Sequence, residues 1–74
     1  MNNSKFVEHN PKKLGGVPVF QGTRVPIRNL FECLEVGENL DEFLDQYPTV
    51  TREQVLGVLE LYQNWLTENY EIAA

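Results

Sequence analysis

Thr49, Thr51, Arg52 and Gln54 stand together in the stretch TVTREQ, and side chains of these kinds read nucleic acid. Arginine pairs with guanine and glutamine with adenine, while a threonine hydroxyl or a helix N-terminus holds phosphate. The same residues also have a structural reading. Thr51 and Gln54, three apart, make a capping box, and Arg52 suits open solvent or an ion pair with a nearby carboxylate. Lys12, Lys13 and Arg28 lie upstream as further phosphate contacts. Glu53 and Glu60 oppose them on the same segment. Covalent chemistry has less to draw on. The chain has one His, His9, and one Cys, Cys33, far apart in sequence. Cys33 falls in a helical segment and reads as a small core residue. There is no Ser-His-Asp pattern, phosphate loop or metal-ligand spacing, and one His with one Cys cannot complete a zinc site. The expectation is a non-catalytic protein without metal or cofactor.

The elements that must position these residues begin with GGVPVFQGTRVPIR, Gly15 to Arg28. Two short β-type runs, Val17 to Phe20 and Arg24 to Ile27, flank a Gln21-Gly22-Thr23 break, the pattern of a β-hairpin. Gly22 supplies the positive φ of a tight turn. Pro18 and Pro26 must sit at an edge or a strand end, because proline cannot donate to a ladder. Gly15 and Gly16 read as a flexible turn, and Gly22, Thr23 and Arg24 complete the turn framework. Arg24, with five donors, is expected to serve backbone carbonyls or a carboxylate there. Phe6-Val7 reads as a short strand before the His9-Asn10-Pro11 turn signal.

Three helices follow. The first is expected from about Arg28 to Val36, closed by Gly37, with Leu30, Phe31 and Leu34 facing inward and no clean N-cap. The second starts at the Asn39 cap, with Glu42 completing a capping box, and buries Leu40, Phe43, Leu44 and Tyr47 until Pro48 ends it. The third runs from Thr51 to about Tyr70, with Glu53 complementing its dipole. Val55 and Leu59 join the common core. Val55, Val58, Leu59, Leu61, Tyr62, Trp65, Leu66 and Tyr70 spread over more than half of its circumference, whereas a surface helix needs a stripe of about 100°. Either two helices and the hairpin enclose this helix, or its outer part, Leu61, Tyr62, Trp65, Leu66 and Tyr70, binds a partner protein. The fold class is mainly α, with a small N-terminal β-hairpin.

A chain of 74 residues is expected to be one domain, with Met1 to Ser4 expected to fray. It buries only about 60% of its unfolded surface, and a single thiol permits no internal disulfide. Such chains rely on self-association or a partner, so a homodimer is expected. The lone thiol suits a reducing cytoplasm, and neither a signal peptide nor a membrane span is visible. The net charge of −5 divides unevenly. Up to Arg28 five cations face Glu8, a net +4; from Asn29 onward Arg52 faces ten carboxylates, a net −9. This asymmetry is either two differently charged binding surfaces or unevenly charged solvated surface.

The run Gly15-Gly16-Val17-Pro18-Val19-Phe20-Gln21-Gly22-Thr23-Arg24-Val25-Pro26-Ile27 resembles the signature of the domain-of-unknown-function family numbered 433. The helix ending at Gly37, the acidic helix ending in Tyr47-Pro48 and the Thr51-x-x-Gln54-Val55 start of the last helix extend the resemblance over about Asn10 to Tyr62. It implies a trihelical, homeodomain-like or winged helix-turn-helix fold. It further implies an antitoxin of a type II toxin–antitoxin pair, which masks a small PIN-like ribonuclease toxin and binds operator DNA. Two departures stand out. Val17 occupies a signature position that is often Lys, removing one phosphate contact, and the last helix is acidic for a recognition helix.

Overall fold

The computed structural model describes residues 5–69. In chain order it has β1 (Val7–Glu8), a 3-10 turn (Leu14–Gly16), β2 (Val19–Phe20), α1 (Arg28–Glu35), α2 (Leu40–Gln46) and α3 (Arg52–Asn69). The protein is mainly helical, with a small two-stranded antiparallel sheet near its N-terminus. The expected fraying of Met1 to Ser4 and the placing of Tyr70 on the last helix fall outside the described residues.

The helix ends follow local chemistry. The side chain of Asn39 accepts from the Glu42 backbone N–H at 2.8 Å, and the Glu42 carboxylate accepts from the Asn39 N–H at 2.7 Å. Thr51 and Gln54 do the same for α3, at 3.1 and 3.0 Å. Both pairs satisfy N–H groups that the first turn leaves without helical partners. Ile27, ahead of α1, offers no side-chain cap. Past α1 the chain reverses at Gly37, φ 91°, where the Gly37 and Glu38 N–H groups donate back to Leu34 and Cys33 carbonyls.

The sheet pairs differently from the hairpin read in the sequence. Its regular ladder joins β1 to β2, with Val7 opposite Phe20 and Glu8 opposite Val19. The expected partner run, Arg24 to Ile27, contributes a single bridge, Val19 to Pro26. It is held by Phe20 N–H to Val25 carbonyl and Ile27 N–H to Pro18 carbonyl, both 3.0 Å. The physical reason lies on both sides of that bridge: Pro18 has no N–H to return the Ile27 bond, and the Val25 N–H donates to the Thr23 hydroxyl instead of the Phe20 carbonyl. Val19 and Phe20 thereby acquire neighbours on both edges and are fully buried.

Phe20, Leu30, Phe43 and Val55 form the centre of the core, with Cys33, Val50 and Val58 around them. The Phe43 ring lies 5.9 Å from Phe20 and 4.9 Å from Tyr47, both tilted. Phe31, Leu40, Leu44 and Leu59 pack against this centre while half-buried. Leu34 was expected inside, yet it is 39% exposed; the buried residue in its turn of α1 is the smaller Cys33, which leaves Leu34 on the rim. Phe6 packs onto α3 at Gly57, where a Cβ would come within 2.5 Å of its ring carbons. Glycine is therefore required at that point of the helix by the arm lying across it.

Candidate functional site

The turn between β2 and the Val25–Ile27 run is built by Thr23. Its hydroxyl donates to the Phe20 carbonyl at 2.8 Å and accepts from the Val25 N–H at 3.0 Å, and the residue is buried. Gly22, at φ 78°, turns the chain and donates its N–H to the Glu8 carboxylate at 3.1 Å. That bond, and then Lys13, whose ammonium lies 3.2 Å from the same oxygen, hold the Glu8 carboxyl below its ordinary range. Gly15 and Gly16 continue the left-handed run that Leu14 starts. Arg24 corrects an expectation. It is exposed and makes no hydrogen bond or ion pair among the described residues, and the turn's backbone groups are served by the side chains of Thr23, Glu8, Gln54 and Lys13 instead.

The residues read as nucleic-acid contacts fall into two groups. Thr49, Thr51, Arg52 and Gln54 gather where α2 meets α3, and Lys12, Lys13 and Arg28 lie on the arm and at the start of α1. No bond joins one group directly to the other among the described residues; Gln54 Nε2 donates instead to the Gln21 carbonyl at 2.8 Å, drawing the Gln21–Thr23 turn against the first turn of α3. Several of these side chains are already occupied. Arg52 pairs with Asp41 of α2, Lys13 pairs with Glu8, and Thr51 and Gln54 cap the helix. Lys12 and Arg28 are exposed and form no side-chain ion pair among the described residues.

The outer part of α3 is not enclosed. The helix has 18 residues, about 27 Å at 1.5 Å per residue, and its buried residues, Val55, Gly57 and Val58, all lie in its first half. From Glu60 to Asn69 every residue except Leu66 is exposed. Leu61, Tyr62 and Trp65 expose 41%, 50% and 52% of their surface, large fractions for such apolar side chains. Tyr62 rests on Phe31 of α1, ring centroids 5.3 Å apart.

Phe31 also borders a feature that the sequence reading did not single out. Val7, Val17, Pro18, Pro26, Ile27 and Phe31 line an apolar groove of about 370 Å³, with Arg28 as its one charged residue. The signal was present in the two prolines of the hairpin motif, both of which line the groove. Their sequence reading concerned hydrogen bonds they cannot make rather than the apolar surface they offer.

Cys33 is buried, and its thiol donates to Glu38 Oε1 at 2.8 Å. This carboxylate, with burial as a second cause, pushes the thiol up to about 11, the reverse of a reactive cysteine. Among the described residues no group of three His, Cys, Asp or Glu side chains is placed to hold a metal ion, and no helix is long and apolar enough to cross a membrane.

Comparison with known proteins places this arrangement. An uncharacterized protein, y4eO, of Sinorhizobium fredii (strain NBRC 101917 / NGR234) is similar to this chain, 31% identical over 51 residues. Those residues are 69% of this chain and 23% of the relative, so the chain spans about a quarter of the relative's length. No solved structure matches. The family profile for Protein of unknown function (DUF433) matches residues 7–62, from β1 through the Tyr62 that rests on Phe31. The chain belongs to the DUF433 family.

Proposed function

We propose that this chain is a non-catalytic, antitoxin-like protein of the cytoplasm that masks a small, basic, PIN-like ribonuclease toxin. The observation that carries the reading is the outer half of α3, where Leu61, Tyr62 and Trp65 stand exposed. The chain from Asn29 onward has a net charge of −9. An apolar stripe amid carboxylates suits a cationic partner, since complementary charge speeds encounter and aromatic anchors supply affinity. Operator binding is the second half of the proposal. In it α2 and α3 act as a helix-turn-helix, with the turn beside α3 as a wing, and Lys12 and Arg28 contact phosphates. The bond from Gln54 to Gln21 supports that geometry.

The test is co-expression with the product of an adjacent small open reading frame that carries paired acidic residues. Co-purification and rescue of growth are expected from the wild type. Both should fall when Tyr62 and Trp65 are replaced by Ala, with helical content retained. A wild-type chain that neither co-purifies with that product nor relieves its toxicity would overturn the reading.

A further inference from the structure

The groove and the exposed half of α3 are not separate surfaces, because Phe31 belongs to both. It lines the groove and carries Tyr62 against its ring. One apolar band therefore runs from Pro18 and Pro26, past Phe31 and Tyr62, to Trp65. Its ends differ in charge. Arg28 marks the groove end, exposed and without an ion pair among the described residues. Glu68 marks the helix end, one turn beyond Trp65 on the adjoining side of α3, and is likewise exposed.

A band that is apolar throughout, cationic at one end and anionic at the other, is complementary to itself when turned end for end. We propose that a second copy of this chain covers it through a two-fold contact. The Trp65 end of each copy occupies the groove of the other, Arg28 pairs with Glu68 across both ends, and Phe31 and Tyr62 lie near the axis. Such a contact is isologous and closes at two copies. The groove is large enough for an aromatic anchor, lying in the range of about 300–1,000 Å³ typical of sites that enclose small ligands. The inference does not rest on the toxin reading. It does imply that a toxin reaching the same half of α3, or a phosphate contacting Arg28, competes with the second copy.

The experiment is sedimentation velocity over a concentration series with the full chain, the variants Arg28→Glu and Glu68→Arg, and the doubly reversed variant. Each single reversal places like charges opposite one another at both ends, and dimerisation should weaken at least about tenfold. The double reversal restores opposite charges and should recover most of the wild-type association. Arg28 starts α1 and Glu68 lies in the last turn of α3. An acid at a helix start and a base at a helix end both suit the helix dipole, so neither change works by unfolding the helix. A wild type that stays monomeric, a dimer indifferent to either reversal, or a double variant no better than the singles would each overturn the proposal.

Discussion

The thiol of Cys33 is governed by its neighbour more than by its exposure. Glu38 Oε1 accepts from the thiol at 2.8 Å and from Gln46 Nε2 at 3.0 Å, so the carboxylate is fixed where it opposes thiolate formation. A rise from the ordinary 9.0 to about 11 lowers the thiolate fraction about a hundredfold. Alkylation by iodoacetamide at pH 8 should therefore be slow in the folded protein and fast in urea. Glu38→Gln removes the largest cause of the shift and should speed alkylation of the folded protein several-fold. The same shift fixes a pH dependence. Above pH 9 the unfolded thiol loses its proton while the folded thiol keeps it, so unfolding becomes progressively easier between pH 9 and about 11. Urea denaturation across that range should show stability falling, and a Cys33→Ala variant should show a smaller fall.

At the scale of elements, the contact to test joins the arm to α3. Replacing a helical glycine by alanine ordinarily stabilises a helix by about 1 kcal/mol. At Gly57 the new methyl would meet the Phe6 ring, and overpacking of this kind costs about 1–3 kcal/mol. Gly57→Ala is thus expected to destabilise the protein. In a Phe6→Ala background the clash is gone, and the same change should be neutral or stabilising. Thermal unfolding of the four proteins in a double-mutant cycle measures the difference. This contact also marks where sequence legibility stops. The Asn39–Glu42 and Thr51–Gln54 boxes, the Gly37 reversal and the Pro48 stop depend on residues within a few positions of one another, and all were readable. The pairing of Val7 with Phe20, the seat of Phe6 on Gly57 and the bond from Gln54 to Gln21 join residues far apart in the chain. Local propensity carries no record of them. Arg24 and Leu34 were misread for a related reason. Each was assigned a role that other side chains fill, those of Thr23, Glu8, Gln54 and Lys13 in one case and Cys33 in the other.

Across the whole molecule, charge is separated but partly spent. Lys13 and Arg52 have carboxylate partners in Glu8 and Asp41, while Lys12 has none among the described residues. If operator DNA is bound as proposed, Lys12→Gln should reduce the salt slope of binding by about one. Lys13→Gln and Arg52→Gln should reduce it less, because their charge is already balanced. Fluorescence titration of the promoter fragment at several salt concentrations checks this ordering, and equal slopes for the three variants would contradict it. The candidate sites were legible to different degrees at this scale. The exposure of Tyr62 and Trp65 was legible because a helix too apolar for its circumference announces itself, whereas the groove needed β1, the two prolines and α1 to come together before it existed. The arm that brings Val7 to the groove has one more property. Synthesis proceeds from the N-terminus, so Phe6 leaves the ribosome long before Gly57 has been added to the chain. Its ring has no place to rest until Gly57 and the helix around it have been made.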